Sequence, residues 1–298
     1  MNVWRKIASP KWEDAWEERL AGFGPGRVML VRNPAHRFMR IEVWDVNPAE
    51  GRSLVRQFGG KIVSVDSDKA IARGLERPGP IRIRGRLTVL SSPGDLPPPG
   101  SGKNEKRLIV PSGLAFGTGA HPTTATCLRL LSDLAQSRAP EPWEMIDIGT
   151  GTGILAMAGR LFGARRVSAF DNDPAAVRVA KESIRLNRLG NISVARKDVT
   201  LWAPEHPVAV VVANLFHEIL IRCAGQIAAA VAADGALIIS GILRGQEGPV
   251  LAEMKGRGLA ATDVRVRGKW VTALLRWSPE RRRDDRSPQR SVPQPSRL

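Results

Sequence analysis

The stretch IDIGTGTG, residues 146–153, decides how this chain folds. Met145, Ile146 and Ile148 form an apolar run that reads as a buried parallel strand, and the glycines stand where such a strand turns into a helix. Glycine suits that turn because the backbone must bend sharply and approach a ligand with no Cβ in the way. The next apolar run, Val167-Ser168-Ala169-Phe170, ends in Asp171, 22 residues after Gly149. A carboxylate so placed accepts hydrogen bonds from the hydroxyls of a ribose, which points to an adenosine-containing cofactor. Gly151-x-Gly153-x-x-Ala156 also fits the alanine-ended dinucleotide fingerprint, so the turn alone leaves a nicotinamide dinucleotide and S-adenosylmethionine both open. Asp147 inside the strand, the Gly149-x-Gly151-x-Gly153 spacing and a polar tip on a later strand favour the methyl donor.

Around this turn, strands and helices alternate. Strands are expected near 144–148, 167–171, 192–196, 208–213 and 236–242. Helices are expected near 123–134, entered through Pro122, and near 153–162, 175–187, 217–231 and 247–256. Such alternation predicts a parallel sheet covered on both faces. The last two runs, 261–266 and 270–277, are joined only by Arg267-Gly268-Lys269, enough for an antiparallel hairpin and too short for a parallel crossover. The expected fold is therefore α/β, a Rossmann-like class I methyltransferase with a mostly parallel seven-stranded sheet ending in an antiparallel hairpin.

Upstream, a smaller α+β amino-terminal domain is expected over residues 1–90. Trp12, Trp16 and Leu20 recur at helical spacing and read as core packing of a helix over 11–20. Strands follow near 28–31 and 38–44, a helix near 49–58, and strands near 62–65 and 81–90. Residues 91–106, SSPGDLPPPGSGKNEK, read as an extended linker, 107–277 as the methyltransferase domain, and 278–298 as a disordered basic tail.

The 298 residues are 43% hydrophobic, enough for a sizeable core. No window approaches the ~18 unbroken apolar residues of a membrane span, and MNVWRKIASP lacks a signal-peptide core, so a soluble, cytoplasmic protein is expected. Cys127 and Cys223 read as buried thiols, and four histidines without paired ligand spacing predict no metal site. The net charge of +16 divides as +8 over residues 1–110, +5 over 111–278 and +3 over 279–298. An excess so spread reads either as a solvated arginine-rich surface or as steering toward an acidic partner such as ribosomal RNA.

Asn214 ends the nearly all-apolar run 208–213, at the strand end where open α/β sheets bind ligands. Such an asparagine is either a turn or helix cap or a chemical group. Methyl transfer supplies the second use. An amine must become neutral and be aimed at the sulfonium methyl, and the side-chain oxygen of Asn214 can accept its hydrogens so that positioning does most of the work. Ahead of the first helix, LAFGTGAHPTT (114–124) sets glycines, an aromatic and two threonines before a helix amino terminus. That segment reads as a glycine loop with a capping threonine, or as a site where backbone amides and the Thr124 hydroxyl bind the carboxylate of the cofactor's methionine part.

LAFGTGAHPTT, IDIGTGTGILA, FDNDP, VVANL and SGIL occur in this order between residues 107 and 277, and the set resembles the ribosomal protein L11 methyltransferase family, the PrmA type. The resemblance implies that Thr124, Gly149, Gly151, Asp171 and Asn214 contact S-adenosylmethionine and that Phe116 and Gly117 belong to a loop closing over it. It implies Asn214 as the catalytic residue, and as substrate the lysine side chains and terminal amine of a large-subunit ribosomal protein held by a separate amino-terminal domain. The chain departs from the family in placing its tryptophan motif, WEDAW (12–16), almost at its start, so the substrate-recognition part is rearranged or different. Methylation of RNA or of another protein, and a non-catalytic cofactor-binding module, are the alternatives. The Leu215-Phe216-His217 that follows Asn214 lacks the two prolines and aromatic suited to holding a base.

Overall fold

A computed structural model describes residues 2–9, 12, 16, 19, 20, 23, 27–32, 38–64, 80–96, 100–102, 105–110 and 121–278. The chain divides into two compact units, Met1–Arg77 and Pro78–Leu298.

The first unit contains β1 (Asn2–Ala8), β2 (Val28–Arg32), β3 (Met39–Trp44), α1 (Pro48–Phe58) and β4 (Lys61–Ser64). Its sheet runs β2-β3-β1-β4, each neighbouring pair antiparallel. Trp16, Arg19 and Leu20 are helical in the connection from β1 to β2, so the order is that of a split β-α-β sandwich. A capping box starts α1: Asn47 Oδ1 accepts from the amides of Ala49 and Glu50, and the Glu50 carboxylate accepts from the Asn47 amide. Trp4, Trp16, Leu20, Ile41 and Leu54 fill the core. Trp12, expected to pack with Trp16, is exposed instead. Sequence reading missed β1, whose NVWRKIA is interrupted by two cations. Pairing with both β3 and β4 makes it a central strand, and Val3 and Trp4 are fully buried.

Residues 81–90 belong to the second unit. They form β5 (Ile81–Ile83) and β6 (Leu87–Leu90), joined by a tight turn, and β6 pairs in parallel with β7 (Lys106–Ile109). Ile83, Leu87, Val89 and Leu108 pack into the same core as Leu128, Leu131 and Leu134 of α2 (Pro122–Arg138). Burial of these side chains moves the boundary from the expected residue 90 to 77/78.

The rest of the second unit is β8 (Trp143–Ile148), α3 (Ile154–Leu161), β9 (Ala164–Asp171), α4 (Pro174–Leu186), β10 (Ile192–Arg196), β11 (Val208–Asn214), α5 (His217–Arg222), α6 (Ala224–Ala229), β12 (Val231–Leu243), α7 (Glu247–Gly256), β13 (Leu259–Arg267) and β14 (Trp270–Trp277). Their sheet order is β10-β9-β8-β11-β12-β14-β13, parallel except for β14, which is antiparallel to both neighbours. This is the Rossmann-like class I methyltransferase sheet with its terminal hairpin. The apolar residues of α2 and α3 bury one face, and those of α5, α6 and α7 the other. The helix expected over 217–231 is two helices meeting at buried Cys223, and β12 begins directly after them. Both cysteines are free and buried. No described helix is long and apolar enough to cross a membrane. The tail 279–298, most of the 11–20 helix, and residues 111–120 with Phe116 and Gly117 lie outside the described residues.

Candidate functional site

Strand order reverses between β8 and β11, and their carboxyl ends open a cleft of about 530 Å³. Its floor is the turn from β8 to α3, where Gly149, Gly151 and Gly153 have φ of 70°, 55° and 81°. A Cβ at Gly149 would force the Leu215 side chain to shift, and the positive φ favours glycine there whatever the space. From below, buried Asp147 braces the turn: its Oδ2 accepts from the Thr150 hydroxyl at 2.6 Å and from the Ala156 amide at 3.1 Å. Burial pushes this carboxyl up to about 7.

Asp171, at the tip of β9, is tied directly to the turn. One carboxylate oxygen accepts from the Gly151 amide at 3.0 Å, the other from the Asp173 amide at 3.1 Å. Asn214, at the tip of β11, donates from Nδ2 to Thr123 Oγ1 at 3.3 Å, while its buried Oδ1 has no hydrogen-bond partner. Thr123 Oγ1 lies 2.7 Å from Nδ1 of His121, the residue that caps α2. The His121 ring packs edge-on against Trp270 at 4.9 Å, and burial lowers its pKa. Gly149, Gly151, Asp171 and Asn214 all line the cleft. Thr124 is not among the lining residues, but it lies in the first turn of α2 with its buried Oγ1 also unpartnered.

Sequence reading missed His121, Thr123, Phe216 and Trp270, all of which line the cleft. Phe216 could have been found from its place two residues past the strand tip at Asn214, and the structure leaves it 72% exposed. Trp270 gives no such signal. It reads as an ordinary strand residue and reaches the cleft only because the terminal hairpin folds back beside β12.

A second hollow, of about 480 Å³, lies on the sheet face formed by β8, β9 and β10, beside the loop 197–207. Glu144, Arg166, Ser168, Trp202 and His206 line it. Here Glu144 is ion-paired with Arg165 at 2.8 Å and hydrogen-bonded to His206 at 3.0 Å. Among the described residues no group of three or more His, Cys, Asp or Glu side chains could hold a metal ion.

The family model described as ribosomal protein L11 methyltransferase (PrmA) matches residues 61–277, a span that starts 53 residues before the first motif quoted above, at Leu114. A ribosomal protein L11 methyltransferase of Heliobacterium modesticaldum is 38% identical over 169 residues, covering 57% of this chain and 52% of the relative. That of Listeria innocua is 35% identical over 196 residues, 65% of this chain and 60% of the relative. The crystal structure of a ribosomal protein L11 methylase from Lactobacillus delbrueckii subsp. bulgaricus, at 25% identity, superposes with a TM-score of 0.59 over 67% of this chain and 99% of its own. The chain thus spans about half to three fifths of the length of the curated relatives it matches.

Proposed function

The chain belongs to the ribosomal protein L11 methyltransferase (PrmA) family, and from that premise we propose that it transfers methyl groups from S-adenosylmethionine to amine nitrogens of a large-subunit ribosomal protein, L11 or its equivalent, in the cytoplasm. The observation that carries this reading is the buried, unpartnered Oδ1 of Asn214 beside the glycine turn. A buried acceptor without a partner, on a residue that lines a cofactor-sized cleft, is suited to an incoming N–H.

The residues present fit the cofactor. Asp171 offers a carboxylate to the ribose hydroxyls, and Gly149 and Gly151 keep the cleft floor free of side chains. Thr124, whose buried hydroxyl has no partner, keeps the role the resemblance gives it at the methionine part, although it does not line the cleft. Phe116 and Gly117 keep the role the resemblance gives them, as parts of a closing loop. When bound, S-adenosylmethionine supplies a methyl group that is already electrophilic. What remains for the protein is to hold a neutral amine in line. Asn214 Oδ1 accepts one amine hydrogen and directs the nitrogen lone pair, and the apolar strand behind it excludes water. Asn214 is uncharged and takes up no proton, so the ammonium form of the substrate loses its proton before attack.

The test is methyl transfer from labelled S-adenosylmethionine into ribosomal proteins from cells lacking this enzyme, read by mass spectrometry. Label on L11 is expected. Label on another protein or on RNA would overturn the substrate while keeping the chemistry, and cofactor binding without any transfer would overturn the activity.

Contact with ribosomal RNA is supported by a cluster of arginines. Burial, then the charges of Arg267, Arg84 and Arg265, hold the Arg129 guanidinium below its ordinary value. Asp133 and Asp263 pair with Arg84 and Arg265, whereas the hydrogen bond of Arg129 goes to the Ala125 carbonyl. A phosphate backbone would relieve that repulsion. Replacing Arg129 and Arg267 by alanine is expected to flatten the salt dependence of RNA binding by about two units of log–log slope. An unchanged slope would dismiss the contact.

A further inference from the structure

Resting on that reading, we infer that Thr123 and His121 are positioning residues that decide which end of the Asn214 amide faces the substrate amine. The argument is one of hydrogen-bond direction. His121 occupies the N-cap of α2, where its Nδ1 accepts from the Thr123 backbone amide at 3.4 Å. A ring nitrogen that receives an N–H carries a lone pair, so the proton of the neutral ring sits on Nε2. Thr123 Oγ1, 2.7 Å from the same Nδ1, must then point its hydrogen at the ring. With its hydrogen committed, that oxygen can only accept, and it accepts from Asn214 Nδ2 at 3.3 Å. The amide nitrogen is thereby held against α2, and Oδ1 is left as the open acceptor.

The orientation matters because the two ends of an amide are chemically opposite. An oxygen facing the amine accepts its hydrogen and leaves the lone pair free for the methyl. An NH₂ group in that place would donate to the lone pair and block it. Sterically the two orientations are nearly alike, so neighbouring hydrogen bonds must choose between them. One further contact and burial hold these residues in place: Trp270 packs edge-on against the His121 ring at 4.9 Å, and the Thr123 side chain is buried. Burial also keeps the ring neutral by lowering its pKa, which preserves Nδ1 as an acceptor.

The test combines nitrogen NMR of the cofactor-free full chain with steady-state kinetics. In the wild type, His121 is expected to show an unprotonated Nδ1 and a protonated Nε2, and one Asn214 side-chain proton a downfield shift from its hydrogen bond. Thr123→Val, close in shape but without the hydroxyl, should erase that shift. It should lower kcat toward ribosomal protein L11 about tenfold, the effect of one lost hydrogen bond on a transition state, with KM and S-adenosylhomocysteine affinity nearly unchanged. Thr123→Ser should restore both the shift and kcat. A protonated Nδ1, or an Asn214 shift that survives Thr123→Val, would overturn the inference whatever the enzyme methylates. Weakened S-adenosylhomocysteine binding in Thr123→Val, matching its loss of rate, would overturn it in favour of a cofactor contact. A wild type with the expected resonances but no transfer to L11 would instead count against the proposed substrate.

Discussion

The two hollows of the second unit are nearly equal in volume and share Phe170 and Lys197, yet their polar groups are arranged in opposite ways. On the sheet face, Glu144 is matched to Arg165 and His206. At the strand ends, Asn214 keeps an acceptor buried and open, and Asp147 beneath the turn keeps one buried oxygen without a partner. The contrast extends along a single strand. Hydrogen bonding from His206, reinforced by Arg165, holds the Glu144 carboxyl below its usual range, whereas burial raises that of Asp147, three residues later, to about 7. Folding stability alone favours the first arrangement, since an unsatisfied buried group costs about 1–3 kcal/mol. Of these two open groups only Asn214 belongs to a residue that lines the cleft, which is why the proposed reading has a ligand complete its hydrogen bonding.

Substitutions can break this comparison. The largest effect is expected from Asn214→Ala, which removes the open acceptor. Methyl transfer should fall by roughly a hundredfold or more while cofactor affinity, measured by calorimetry, changes only a few-fold. A normal turnover would reduce Asn214 to a strand-end cap. Asp171→Ala deletes both the proposed ribose acceptor and the partner of the Gly151 amide. Cofactor Kd should rise about 10- to 100-fold, in keeping with ~1.5–3 kcal/mol for hydrogen bonds to a charged group, and an unchanged Kd would remove the assignment.

Smaller effects sharpen the contrast between the two carboxyls of β8. The folded-state pKa of Asp147 lies above its unfolded value, so its contribution is fully present below about pH 4 and is lost as pH rises to about 7. Asp147→Asn should flatten that part of the curve of urea midpoint against pH. Glu144 has the opposite sign: its depressed pKa gives stability above the unfolded value that is lost as pH falls through the folded one. Glu144→Gln should remove that acid-side loss. The smallest change is expected for His206→Ala, no more than ~1 kcal/mol of stability for an exposed pair and transfer within about twofold of wild type. A large loss of transfer in His206→Ala would mean that the sheet-face hollow also serves the reaction.

The sequence by itself determined the parallel sheet and its terminal hairpin. Strand-length apolar runs, glycines at one turn and a three-residue link are local facts, and local sterics reads them directly. Asp171 and Asn214 were legible for the same reason, as polar residues closing apolar strands. Only the tertiary structure decided where Ile81 to Leu90 belong, because their hydrophobic pattern is the same whichever unit buries it. The same holds for β1, whose two cations mask a strand that becomes central through pairing on both sides. In the cleft, the hydroxyl of Thr123 stands 91 positions from Asn214 in sequence, and Trp270 comes from the far end of the chain. Which way a hydroxyl points, and which amide end stays open, depends on groups meeting across those distances, a relation that composition and periodicity do not encode.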